Sequence, residues 1–350
     1  MLRRFTPAVL FALIITTVLF IGTSFGLPAG QDADQSAIQE AANWIRRENK
    51  IETAYGYVMT CKVRLLFFWA GRDDVGGGYV RIGKADDDER EQMIQVLFGS
   101  DPAKAPLSIN RWGAGTEVLR ISDSAQPAAG AFFGFMKSSK GQSVMAMQKE
   151  LSKEKSNGEH LFDGIMSRVD VGRALTTTVP FTSNTDFTKD QYAEAEKATL
   201  QQLADNPSRK VRRLDGADLL GCPRVGGFLS TTRELIDAAL ADRPTPISLC
   251  YIYNARHYTA TLLNAHPVAD KIVHVTLRGK DGSFDRSYHH LKEAHMEVVG
   301  RDSGSKSSFD ILIGTEGNLR GAPVQIIYQP NWWFQIILNM APDSPQPAGT

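Results

Sequence analysis

The sequence predicts a mostly antiparallel β protein with helices (α+β): a curved sheet or partly closed β-barrel with a helical middle section. Three observations predict it. Apolar side chains fall at every second position from Tyr55 to Trp69, a run far longer than an ordinary strand. The same alternation returns repeatedly between Pro246 and Leu338, in runs joined by short Gly- or Asp-containing links. Between these regions, around residues 141–241, helix-spaced apolar stripes are set among the strands. A period of two marks a strand with one buried face, and successive strands with tight links mark an antiparallel meander.

The chain opens with Arg3 and Arg4, then carries no charge from Phe5 to Gln31, and Ala8 to Ile21 is almost wholly apolar. A basic start followed by an apolar run has the shape of an export signal. The run is also long enough to cross a hydrocarbon core, which takes about 20 residues. Residues 1–30 are expected to be either a cleaved signal peptide or an uncleaved anchor that tethers the protein to the membrane through residues 5–27. Both readings place the remainder outside the cytoplasm, in the periplasm or envelope or secreted. Residues 31–341 are enough for a single β-rich domain with a sizeable core. Lys plus Arg equals Asp plus Glu at 39 each, which argues against a nucleic-acid partner.

Asp34 to Arg47 reads as a helix with Ile38, Ala41, Ala42 and Ile45 on one face and Asp34 as N-cap. Tyr55 to Trp69 follows as a strand of on the order of 50 Å, and a hairpin turn is expected over Gly71–Gly78, with Tyr79–Lys84 returning. Met93–Phe98 and Thr116–Ile121 read as strands around a loop at Asp101–Pro106. The middle section begins with a helix over Ser143–Lys153 and a hairpin of Leu161–Val169 with Ala174–Pro180. Thr188–Asp205 is a helix whose stripe is Tyr192, Ala195, Thr199 and Leu203; Thr231 and Glu234 form a capping box opening another helix to Ala241. About four helices are expected to pack on one side of the sheet. Tyr251, Tyr258, Val273, Met296, Ile311, Ile326 and Ile336 sit in the alternating strands that follow, and 342–350 is a Pro-rich, disordered tail.

Cys61 falls on the apolar face of its strand and reads as a buried free thiol, which leaves Cys222 with Cys250 as the candidate disulfide. Such a bridge contributes about 3 kcal/mol in the chain-entropy model. The alternative is three unpaired, half-buried thiols.

Phe309-Asp310-Ile311-Leu312-Ile313, then Val324-Gln325-Ile326 with Tyr328, Trp332 and Trp333, resembles the last hairpin of some uncharacterised bacterial secreted proteins, and Gly71–Gly78 is similar in character. That resemblance implies a curved, antiparallel, barrel-like sheet and no particular activity.

Signals of catalysis are weak. His274, His289, His290 and His295 lack a zinc-ligand spacing and read as solvent-facing strand histidines, so no metal is expected. Cys250 and His257 fall on adjacent strands, but nothing around Cys250 activates a thiol. Asp73 with Asp74, and Asp281 with Asp285, are explained by turns. Gly76-Gly77-Gly78 precedes a strand, so it marks a bend or bulge and not a phosphate cradle. The expectation is an exported, non-enzymatic protein, without cofactor, that binds an apolar or amphipathic ligand such as a lipid within the curved sheet. The candidate ligand-binding residues are Tyr57, Phe67, Trp69, Tyr328, Trp332 and Phe334. Two other readings stand beside it: an extracytoplasmic hydrolase using carboxylates at the sheet rim, and a structural or assembly protein of the envelope that uses its aromatic surface.

Overall fold

The computed structural model describes residues 31–47, 49–65, 68–85, 88–122, 127–137, 158–216, 222, 225–276, 283–331 and 334–341. The export segment, the helix expected over Ser143–Lys153, Phe67, Asp281, Trp332 and the tail lie outside the described residues. In chain order the elements are α1 (Gln31–Arg46), β1 (Asn49–Leu65), β2 (Phe68–Ala85), β3 (Glu91–Ser100), β4 (Trp112–Ile121), β5 (Pro127–Lys137), β6 (His160–Asp170), β7 (Arg173–Ser183), α2 (Tyr192–Asp205), β8 (Lys210–Asp215) and α3 (Phe228–Leu240). There follow β9 (Ile247–Tyr253), β10 (Arg256–Val268), β11 (Lys271–Thr276), β12 (Ser283–Tyr288), β13 (Leu291–Gly300), β14 (Lys306–Gly314), β15 (Pro323–Asn331) and β16 (Phe334–Met340).

Fourteen strands make one antiparallel sheet in the order β8-β7-β6-β5-β4-β3-β2-β1-β16-β15-β14-β13-β10-β9, and β11 pairs with β12 separately. The sheet therefore grows in two directions from a central seam where β1 meets β16, with Tyr57 opposite Met340. It is strongly curled but not closed. On β9, Tyr251 faces the interior, while Cys250 and Ile252 on the opposite face pack against Val169, Ala174 and Leu214 of β6, β7 and β8. The two ends of the sheet thus meet through side chains, without a hydrogen-bonded ladder among the described residues. A disulfide between Cys222 and Cys250, with Cα atoms 5.5 Å apart, fastens the overlap.

Alternation along each strand gives the sheet two apolar faces. Outside, Trp112, Phe133, Phe135, Phe162 and Met166 pack beneath Trp44 and Ile45 of α1 and Leu200 and Leu203 of α2. Fully burying an aromatic of this size contributes about 1.5–3 kcal/mol. Gly164 of β6 lets α2 sit close, since a Cβ there would fall 2.5 Å from Cγ2 of Thr199. Inside, Tyr55, Val96, Phe98 and Leu338 meet Leu229 of α3, and Leu235 and Ile236 continue along the same helix against β9, β10 and β13. Helices therefore cover both faces, not the one side expected from sequence. Within the middle section the strands β6, β7 and β8 belong to the main sheet, with α2 and α3 set beside them.

Several local expectations change. The long strand reverses after Leu65, so that Trp69 pairs with Arg64 from β2; apolar residues continue through the reversal, and no Gly, Asn or Asp marks it. Gly71–Gly78, read as a turn, lies inside β2. There a bulge separates the pairs Met59–Gly76 and Cys61–Arg72, and Asp74 adopts φ 49°. Cβ atoms at Gly76 and Gly78 would fall 2.1 and 1.7 Å from the carbonyl oxygens of Gly99 and Leu97, so the neighbouring strand, not a ligand, requires the glycines. Asp34 lies within α1 and, instead of capping it, accepts from Arg173 at 2.9 Å and pairs with Arg213. The helix expected from Thr188 opens as a short 3-10 turn, with Thr188 and Gln191 forming its capping box.

Candidate ligand cavity

α3 is the element that makes the site. Its sequence places Leu229, Leu235, Ile236 and Ala239 on buried faces, so it is driven into the curl of the sheet. It begins at Phe228, three residues before the expected capping box, and Thr231 is buried inside it. No side chain of its own caps the N-terminus. Glu117 of β4 does so instead: its carboxylate accepts from the backbone N–H of Gly227 at 2.7 Å, Leu229 at 3.0 Å and Ser230 at 3.3 Å, and from the Ser230 hydroxyl. Gly227 leaves room for that carboxylate, since a Cβ would lie 2.7 Å from Oε2 of Glu117. At the other end the buried Lys292 of β13 donates to the carbonyl of Ala239 at 2.8 Å and to Asp242 at 2.6 Å. An anion at the N-terminus and a cation at the C-terminus both complement the helix dipole. Burial holds the Glu117 carboxyl above its ordinary pKa, against the pull of its four donors.

Between α3 and the sheet lies an apolar cavity of about 110 Å³. Val80, Ile82, Ile94 and Val96 form one wall, and Ala260, Met296, Val298 and Ile311 the other, with Phe228 and Leu229 between them. Tyr55, Arg233, Gly321 and Pro323 stand at one side. Arg233 is half-exposed and makes a long contact of 3.4 Å with Asp237. Burial raises the Tyr55 phenol above its ordinary pKa, partly offset by Arg233, so Tyr55 remains a neutral donor.

Of the residues expected to bind a ligand, none among those described lines this cavity. Tyr57 is buried and donates its hydroxyl to the carbonyl of Pro323 at 2.8 Å, which fixes the start of β15 at the cavity. Tyr328 packs against the cavity-lining Phe309 with ring centres 4.8 Å apart and planes tilted by 31°. Trp69 sits near the tip of the β1–β2 hairpin, 38% exposed. Phe334 pairs by its backbone with Val63. The cavity residues were visible only as ordinary alternation, in Val80-Arg81-Ile82 and Ile94-Gln95-Val96 as in the strands carrying Tyr55, Met296, Ile311 and Ile326, and nothing in those runs shows that a helix comes to face them.

The other candidate chemistry is occupied. Cys250 is bridged to Cys222 and has no free thiol for His257. Cys61 is unbridged, and burial pushes its pKa up to about 12. Asp73 and Asp74 lie in the β2 bulge, not a turn, and accept from Thr60 and Lys104 at 2.9 Å. The histidines other than His257 pair with separate acids, among them His295 with Asp310, His274 with Asp285 and His289 with Asp270; among the described residues no three metal-ligating side chains converge. A second, mixed cleft of about 520 Å³ lies over Gly76–Gly78, and its charged side chains include the pairs Lys104–Asp74 and Lys189–Asp190.

No protein-family model matches the sequence, and no curated protein does. Among solved structures, the chain is similar to a beta-barrel-like protein of domain of unknown function DUF1849 from Brucella abortus. The two share 8% identity over 83% of this chain and 96% of that one, with a TM-score of 0.39.

Proposed function

We propose that the protein is a non-enzymatic binder of a small apolar or amphipathic molecule, held between α3 and the inner face of the sheet. The observation that carries this reading is the cavity itself: about 110 Å³ whose two sheet walls are aliphatic, inside a helix clamped at both ends. Apolar pockets with a few polar groups are the usual form of small-molecule sites. We place its action outside the cytoplasm. The Cys222–Cys250 bridge supports an oxidising compartment, and the uncharged run from Phe5 to Gln31 supports export or tethering.

The test is titration with xenon, an apolar probe small enough for the cavity, followed by methyl chemical shifts on the purified protein and on Ala260→Leu, which fills the cavity. Wild type is expected to bind, and Ala260→Leu to lose about tenfold or more in affinity while its Tm rises by a few degrees, as about 1 kcal/mol of improved packing brings. Equal xenon binding by the two proteins, or none by wild type, overturns the reading.

A further inference from the structure

We propose that the ligand is a short-chain carboxylate, its acid group held by Arg233 and its alkyl end in the aliphatic cavity. This rests on the cavity being a ligand site, as proposed above. Three observations argue for the class. First, Arg233 is the one charged side chain among the described residues lining the cavity. A guanidinium beside an apolar chamber matches a molecule that is anionic at one end and greasy at the other, and its planar fork suits a carboxylate. Second, the guanidinium is not committed elsewhere. Its contact with Asp237 is a long, half-exposed i,i+4 pair, which is weak and readily exchanged. The NH2 nitrogen of Arg233 lies 3.7 Å from where a Cβ on Gly321 would stand, so the charge lies over bare backbone at the cavity edge. The other polar groups fit the same assignment: Thr232 spends its hydroxyl on the carbonyl of Phe228 at 2.9 Å, leaving the neutral Tyr55 phenol as a second donor. Third, size limits the tail. An apolar cavity of about 150 Å³ holds benzene, so 110 Å³ holds roughly four carbons. Pentanoate or hexanoate fits, whereas a long fatty acyl chain does not.

The experiment titrates butanoate, hexanoate, octanoate, hexan-1-ol and hexylammonium into the purified protein, following methyl chemical shifts. It is repeated on Arg233→Gln, Arg233→Lys and Ala260→Leu, with circular dichroism as the check of folding. Hexanoate is expected to bind about tenfold tighter than hexan-1-ol, the scale of one charge-assisted contact, and hexylammonium more weakly than either. Arg233→Gln should erase the preference for hexanoate over hexan-1-ol, and Arg233→Lys should keep part of it. Butanoate should bind more weakly than hexanoate, and octanoate should gain nothing over it. If hexan-1-ol or hexylammonium binds wild type as well as hexanoate does, or if Arg233→Gln keeps the preference, the carboxylate assignment falls while the cavity reading survives. If no probe binds, or if Ala260→Leu binds every probe like wild type, both fall.

Discussion

At Glu117 two demands oppose each other. Removal from water favours the neutral acid, whereas three backbone N–H groups and a serine hydroxyl favour the carboxylate, and burial prevails. The folded protein therefore binds a proton more readily at this site than the unfolded chain does. The sign follows: the contribution to stability is full below the ordinary glutamate pKa and is lost as pH rises through the raised one. Glu117→Gln removes the titration and replaces one acceptor by an N–H group that faces donors. It should cost about 1–3 kcal/mol. Urea denaturation across a pH series should show the stability difference, wild type minus variant, shrinking as pH rises from the acid side. A difference that grows with pH would mean that the helix cap, and not burial, sets this pKa.

At the scale of elements, placement of the helices depends on a few contacts that alternation does not encode. α2 rests on β6 through Gly164, where a Cβ would meet Thr199 at 2.5 Å. Gly164→Ala should push the helix outward and cost about 1–3 kcal/mol, read as a lower urea midpoint with an unchanged slope. The same contrast explains what could be read from the sequence. The C-terminal strands were legible because one face of each is consistently apolar, as in β14 with Phe309, Ile311 and Ile313. β5 was not, because Ala131, Phe132, Phe133 and Phe135 are buried on both faces and no period of two survives. β8 was missed for the opposite reason: Lys210-Val211-Arg212-Arg213-Leu214-Asp215 is an exposed edge with little apolar signal. The start of α3 was misplaced because its cap comes from a strand 110 residues earlier in the chain. No local motif can announce such a partner.

Over the whole molecule, the curled sheet was predictable and the cavity was not. Curvature follows from long one-sided strands. The chamber arises only where β2, β3, β10, β13 and β14 converge on one helix, and its lining is spread from Tyr55 to Ile326. The ends of the sheet depend on side-chain packing and one covalent bond. The bridge spans 28 residues, so the Cys222→Ser/Cys250→Ser double variant should lose about 3–4 kcal/mol in the chain-entropy model, measured by denaturation against the oxidised wild type. A loss below about 1 kcal/mol would mean that the packing of Ile252 on Val169, Ala174 and Leu214 holds the overlap by itself.

The seam between β1 and β16 sets an order of events during synthesis. Strands β1 to β8 can zip up in sequence as they emerge, each against the one before it. Throughout that time the free side of β1 offers an unsatisfied row of amides and carbonyls to any passing strand, because its mate is made after all the other described strands. A growing chain of this design spends most of its birth sticky along one border, and β16 is the stitch that removes the hazard.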